Sequence, residues 1–283
     1  MHSAHSAQLA YEQGMQLLVR GRYEQAIERF TQAIEIDPDF GPVYFNRAFA
    51  YNLIGELDKA ISDYTNVIRV DPENAWAFVY RAYGWGIVGQ LDDVILDCSK
   101  ALSINPKLAL AYTERGYACF KLGQFRQAAD DFTQFILMNP DDPSAYFCRA
   151  IAYSELEQHD ETIEDLTRAI QLNPEDFSFY FCRGITYHNQ KRYQLAIQDY
   201  DRAIELNAEC EDAINNRNIA MAQLGHTPHP GQRAHETRRK VNDLLDLLEA
   251  AVHDKLDMEV ETDANDPPSD EQVKRKLLRT PTR

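Results

Sequence analysis

A proline recurs every 34 residues. Asp37-Pro38, Asp71-Pro72, Asn105-Pro106, Asn139-Pro140 and Asn173-Pro174 stand in register, and a period of this length marks a chain assembled from stacked copies of one supersecondary unit. Proline cannot continue a helix and pushes its predecessor out of the helical region, so each copy stops at these pairs. Framing the unit at Ala7 gives full repeats at 7–40, 41–74, 75–108, 109–142, 143–176 and 177–210, then a half unit at 211–227, with residues 1–6 as an extension ahead of the frame.

The remaining residues fall into columns of that frame. Column 8 is small (Gly14, Ala48, Ala82, Gly116, Ala150, Gly184), and so for the most part are column 20 (Ala26, Ala60, Val94, Ala128, Thr162, Ala196) and column 27 (Ala33, Val67, Ala101, Phe135, Ala169, Ala203). Column 24 carries Phe30, Tyr64, Cys98, Phe132, Leu166 and Tyr200, and column 11 Leu17, Tyr51, Trp85, Cys119, Tyr153 and Tyr187. Large against small is how packed helices interdigitate. Column 15 is Gly21, Gly55, Gly89 and Gly123, a residue able to take positive φ between two helices. Each unit reads as a helix–turn–helix hairpin.

With these columns in place the chain resembles the tetratricopeptide repeat family, whose signature sets a large residue, Leu-Gly, Tyr, Ala, Phe and Pro at the same offsets. The resemblance covers about residues 7–225. It implies an all-α, right-handed superhelical solenoid of six full repeats and a half repeat. Glu157 and Lys191 stand in place of the turn glycine, Thr162 in place of the column-20 alanine, and Ala208 in place of the last proline. These departures predict looser fifth and sixth units.

Composition removes several function classes. Lys+Arg number 29 against Asp+Glu 45, a formal net charge of −16, whereas phosphate contact needs a basic surface; nucleic acid is not the expected partner. No apolar run approaches the roughly 18 residues of a membrane-spanning helix, so membrane insertion is not expected either. The start, Met1-His2-Ser3-Ala4-His5-Ser6, lacks a basic n-region followed by an apolar stretch, and Cys98, Cys119, Cys148, Cys182 and Cys210 show no redox or zinc spacing. A cytoplasmic protein is expected. No phosphate loop, nucleophile elbow or HExxH occurs, so neither an enzyme nor a cofactor or metal is expected.

Two recurrent features invite a functional reading. Column 7 is Arg at 47, 81, 115, 149, 183 and 217, and column 23 is Asp at 63, 97, 131, 165 and 199; because both recur with the fold period, they read as pairs between packed helices rather than a basic stripe for an acidic ligand. Cys148 and Cys182 share a column, but equivalent positions on stacked helices stand roughly 8–10 Å apart, beyond the ~7 Å limit for a disulfide. His226, His229 and His235 lie around Pro228 and Pro230 without a carboxylate or cysteine at metal spacing.

In the tetratricopeptide repeats the first helices line a concave groove, and the resemblance implies that columns 2, 5, 6, 9 and 12 face it. Here they hold Tyr11, Phe45, Asn46, Phe49, Trp76, Tyr80, Tyr83, Tyr117, Phe120, Phe147 and Phe181. Contacts between neighbouring units absorb part of this set, yet a contiguous aromatic strip marks an interaction surface, and Tyr and Trp dominate binding hot spots. Phe49, Trp76, Tyr80, Tyr83 and Tyr117 are the expected central contacts. A subset of the family clamps chaperone C-terminal carboxylates with Lys and Asn. Asn46 occupies one clamp-like column, but Tyr11, Met15, Trp76 and Tyr80 leave the carboxylate without a counter-charge. The expected ligand is an apolar or aromatic peptide or helix of a protein partner, with basic flanks favoured by the acidic rim.

Beyond a linker at 228–232, Val241, Leu244, Leu245, Leu248, Val252 and Leu256 fall on one side of an amphipathic helix expected at 233–257. It is read as a cap on the half repeat, with self-occupancy of the groove or pairing with a partner helix as alternatives. Residues 258–283, acidic and then basic from Lys274, are read as a disordered charged tail. The second functional reading is a structural scaffold that self-associates to a homo-oligomer, its groove filled by its own C-terminal helix.

Overall fold

The computed structural model describes residues 2–225; the linker, the amphipathic helix, the tail and His226, His229 and His235 lie outside the described residues. The described residues form thirteen helices and no strand. The first helices of the hairpins are α1 (His2–Val19), α3 (Gly41–Leu53), α5 (Ala75–Ile87), α7 (Ala109–Lys121), α9 (Pro143–Glu155), α11 (Phe177–Asn189) and α13 (Glu211–Gln223). The second helices are α2 (Tyr23–Ile36), α4 (Leu57–Val70), α6 (Leu91–Ile104), α8 (Phe125–Met138), α10 (His159–Leu172) and α12 (Tyr193–Leu206). The chain divides into two compact units, one ending at Ala118 and the other beginning at Cys119, both inside α7. In each, successive helices pack as antiparallel hairpins, and each hairpin packs on the next.

The turn inside the hairpin is set by one left-handed residue. Gly21, Gly55, Gly89 and Gly123 have φ between 69° and 80°, and the N–H of the residue just before the second helix returns to the last turn of the first, as in Glu56 N–H to Tyr51 O at 2.9 Å. Glu157 and Lys191 hold the same conformation at φ 57° and 59°, with Gln158 N–H to Tyr153 O and Arg192 N–H to Tyr187 O at 2.9 and 2.8 Å. The fifth and sixth turns are therefore as tight as the others, against the expectation of loosening; the side chains there carry strain that glycine avoids.

The turn between hairpins rests on more than proline. The residue after each second helix is extended, with φ near −130° to −139°, as a following proline demands. Asn207 takes φ −139° too, although Ala208 follows it. Its Oδ1 accepts the N–H of Glu209 at 3.1 Å, and Asp37, Asp71, Asn105 and Asn173 accept from the residue two further on in the same way. An Asx turn built from the column-31 side chain thus holds the bend where proline is missing.

The core lies between the helices of each hairpin. Phe30, Tyr64, Cys98, Phe132, Leu166 and Tyr200 of column 24 are at most 1% exposed, seated beside the alanines of columns 20 and 27. Column 11 is different. Tyr51, Tyr153 and Tyr187 are half-buried, and each lies against the column-7 arginine of its own hairpin at 5.7–5.9 Å.

Those arginines are the recurring polar tie. Arg47, Arg81, Arg149 and Arg183 each form a two-armed hydrogen-bonded pair with Asp63, Asp97, Asp165 and Asp199, at 2.6–2.8 Å. Their third nitrogen donates backwards, to Thr31, Thr65, Thr133 and Thr167 of the preceding hairpin at 2.9–3.2 Å. Burial raises the Asp63 and Asp165 carboxyls against the opposing pull of Arg47 and Arg149. The pair therefore fixes geometry at an electrostatic cost, as buried ion pairs do.

Candidate peptide-binding site

Column position alone does not decide which of the expected groove residues reach solvent: Tyr11 shares column 5 with buried Phe45, and Tyr83 shares column 9 with buried Tyr117. Columns 5 and 6 form the seam between successive hairpins. Phe45, Val79 and Thr113 of column 5, and Asn46, Tyr80 and Glu114 of column 6, are all buried in the first unit. In the second unit Phe147 and Phe181, also of column 5, are 2% and 1% exposed, and Phe120 is 1% exposed. Phe147 packs on Phe179 at 5.3 Å, Phe181 on Tyr200 at 6.1 Å and Phe120 on Phe125 at 5.1 Å. Tyr117 is buried as well. The accessible members are Tyr11, Phe49, Trp76 and Tyr83, each half-buried.

The aromatic strip expected on the surface is thus in large part interior. The physical reason is position: in the complete hairpins after the first, columns 5 and 6 lie in the seam between hairpins, and whatever stands there, from Val79, Thr113 and Cys148 to Phe147 and Tyr80, is buried. Tyr80 is the centre of such a cluster. It stacks on Tyr64 at 5.8 Å and meets Phe45, Phe49 and Trp76 at 5.5, 6.1 and 6.0 Å.

Asn46 serves the same seam. It is fully buried, and its Nδ2 donates to the Tyr11 hydroxyl at 3.1 Å and to Pro42 O at 2.9 Å, while its Oδ1 is buried without a partner. Held this way it ties α3 to α1.

Of the four accessible residues, Trp76 opens on a concave site, at the proline-turn edge of the first unit. A cleft of about 620 Å³ opens there between the two inter-hairpin turns. Its apolar lining comes from Phe40, Phe45, Val67, Val70, Trp76 and Ile104, and Asp39, Asp71 and Glu73 stand at its mouth. All three acids are exposed; Arg69 reaches Asp39 at 3.6 Å with both side chains open to water, a contact that neutralises little. Trp76 belongs both to this cleft and to the aromatic cluster around Tyr80, so its ring is braced from behind. Of its lining, Phe45 and Trp76 belong to the expected groove columns, whereas the acidic turn residues Asp39, Asp71 and Glu73 lie outside them.

Comparison with known proteins agrees with this architecture. Tetratricopeptide repeat profiles match residues 143–176 and 178–210, and 41–74 and 109–142, and a TPR repeat profile matches 14–55. Among curated proteins nothing matches. The fold is similar to that of YrrB, described as a TPR protein with an unusual peptide-binding site, at 20% identity over 67% of this chain and 97% of that one, with a TM-score of 0.62. It is similar to MamA at 23% identity over 61% of this chain and 94% of that one, TM-score 0.57, and to a chain of the APC/C hetero-tetramer Cut9-Hcn1 at 19% identity over 76% and 43%, TM-score 0.56. No helix among the described residues is long and apolar enough to cross a membrane. Repeat period, hairpin geometry and profile matches agree, and the chain belongs to the tetratricopeptide repeat family.

Proposed function

We propose that this chain is a protein-interaction adaptor whose first unit receives an apolar or aromatic side chain of a partner segment in the cleft beside Trp76. Tetratricopeptide repeats build protein–protein interaction scaffolds, and the observation that carries the finer reading is the cleft itself. A half-exposed tryptophan, braced by Tyr80, adjoins an apolar floor with three acids at the mouth. Such a site takes a large apolar side chain with Lys or Arg beside it: burial of the apolar group supplies affinity, and the acids supply steering and register. Because the cleft is preformed, little ordering entropy opposes binding on the receptor side. Peptide binding by YrrB is a property of that protein and supports this reading only as precedent on a similar fold. A catalytic role has no part in it.

Selection of random displayed peptides on the full chain, beside the same selection on Trp76→Ala, tests this. The expected enriched motif pairs an aromatic or large aliphatic residue with Lys or Arg, and the selected peptides lose about thirtyfold in affinity on Trp76→Ala. Peptides that bind both proteins equally would overturn the cleft as the site. The scaffold that self-associates instead predicts a mass that rises with concentration in light scattering, with no peptide enriched.

A further inference from the structure

In four complete hairpins the column-7 arginine spends all its nitrogens: Nε and Nη2 on the aspartate sixteen residues later, Nη1 on the hydroxyl of the preceding hairpin. Arg217, on α13, keeps only the backward contact. Its Nη1 donates to Asp201 Oδ1 at 3.0 Å, at the position that Thr167 holds one repeat earlier. Its Nε is buried and has no hydrogen-bond partner. A buried, unsatisfied cationic donor is costly, and the atom in question is the one that closes on aspartate in the other hairpins.

The chain leaves α13 as it leaves a hairpin's first helix. Gly225 has φ 77° and its N–H meets Ala222 O at 3.1 Å, as Gly55, with φ 76°, meets Asn52 O at 3.1 Å. A turn of this kind leads into a second helix everywhere else in the chain. In the second helices, the ladder aspartate has apolar residues at offsets −2, +1, +4 and +5: Ile61, Tyr64, Val67 and Ile68 about Asp63, and Ile197, Tyr200, Ala203 and Ile204 about Asp199. After Gly225 that pattern returns at Asp243, with Val241, Leu244, Leu247 and Leu248. The intervening sequence is longer, and it contains Pro228, Pro230 and Gly231. Asp246 has Leu244, Leu247, Ala250 and Ala251 at the same offsets, and its alanine at +5 stands where the second helices have Ile68, Leu102, Ile136, Ile170 and Ile204.

We infer that residues 233–257 dock on the open face of α13 as the second helix of the last hairpin, with the Asp243 carboxylate accepting from Arg217 Nε. The face offered includes half-buried Ile214 and Met221 and exposed Leu224, which the leucines around Asp243 cover. The occupant is this chain's own segment because the acid and the apolar offsets around it match those of the second helices, and no partner need supply the acid.

Amide hydrogen exchange of α13 in the full-length chain tests the inference. Asp243→Asn should raise exchange across 211–223 about tenfold, the scale of one charge-assisted hydrogen bond, while Asp254→Asn leaves it unchanged. The exchanged pair Arg217→Asp with Asp243→Arg should restore protection that either single variant loses, which a merely unfolded segment would not do. Unchanged exchange in Asp243→Asn, an equal effect from Asp254→Asn, or an effect confined to Asp246→Asn overturns the pairing. Protection of α3 and α5 in place of α13, the mark of a segment lying in the groove, overturns the docking site.

Discussion

Arg183 grips Asp199 with two hydrogen bonds of 2.8 Å and reaches back to Thr167 at 3.0 Å, so one side chain joins α11, α12 and the hairpin before them. With side chains 17% and 9% exposed, the pair is screened little by water. Arg183→Met leaves a buried carboxylate without its cation and should cost about 3–5 kcal/mol. The double variant Arg183→Met with Asp199→Leu should regain most of that loss, since a hydrophobic isostere of a buried pair is close to neutral. Urea midpoints of the two variants decide it: a double variant as unstable as the single one would show that the pair contributes more than geometry.

Tyr200 occupies the space that a side chain at Gly184 would need. A methyl group there would come within 2.7 Å of the ring, closer than real contacts allow. Gly184→Ala gains roughly 1 kcal/mol of helix propensity but overpacks the hairpin, at about 1–3 kcal/mol, so the net change should be destabilising. Tyr64 sits beside Ala48, and its ring is stacked on Tyr80; Tyr200 has Asn216 at the corresponding place, and its ring meets Phe181 at a tilt instead. Adding Tyr200→Leu, which recreates the Ala150 and Leu166 combination, should recover stability in thermal unfolding. Loss of equal size in both variants would refute the clash.

The hairpins, their turns and the Arg–Asp pairs were legible because each repeats with the same period, so an accidental match in one unit is corrected by the other five. The site was less legible for the same reason. Burial of Phe45 or Phe147 depends on how closely the hairpins stack, which a column pattern does not encode, and six of the ten aromatic residues expected on the strip are buried. Asn46 stands out in sequence as a polar residue among aromatics, yet its partner, the Tyr11 hydroxyl, lies one hairpin away. The cleft beside Trp76 is assembled from the ends of several helices together with the turns between them, a convergence that no single column records. The backward reach of the arginines to Thr31, Thr65, Thr133 and Thr167 went unread, because a periodic Arg–Asp match already accounts for both columns without a third partner.

Glu157 and Lys191 hold the left-handed conformation at φ 57° and 59°, which costs a non-glycine residue about 1–2 kcal/mol. Glycine avoids that cost but loses part of the gain to unfolded-chain entropy. Glu157→Gly and Lys191→Gly should each stabilise the second unit by about 0.5–1 kcal/mol, and the two should add, because they sit in different hairpins. Both side chains are exposed, so no packing is lost. A fall in urea midpoint for either substitution would mean that the side chain makes a contribution larger than the backbone strain.

His188 gives the second unit a pH dependence. It lies half-buried in the last turn of α11, edge-on to Tyr193 at 5.3 Å, and burial lowers its pKa below the usual 6.5. A helix C-terminus would favour the imidazolium, so desolvation outweighs the dipole here. The sign follows by linkage: with the folded pKa below the unfolded one, the unfolded chain binds the extra proton as pH falls through about 6.5, and stability drops until the folded pKa is passed. His188→Gln removes this contribution. The difference in urea midpoint between the wild-type chain and His188→Gln should therefore shift against the wild type on going from pH 7.5 to 5.5, with the carboxylates common to both cancelling. An equal difference at the two pH values would show that the histidine titrates alike in the folded and unfolded chains.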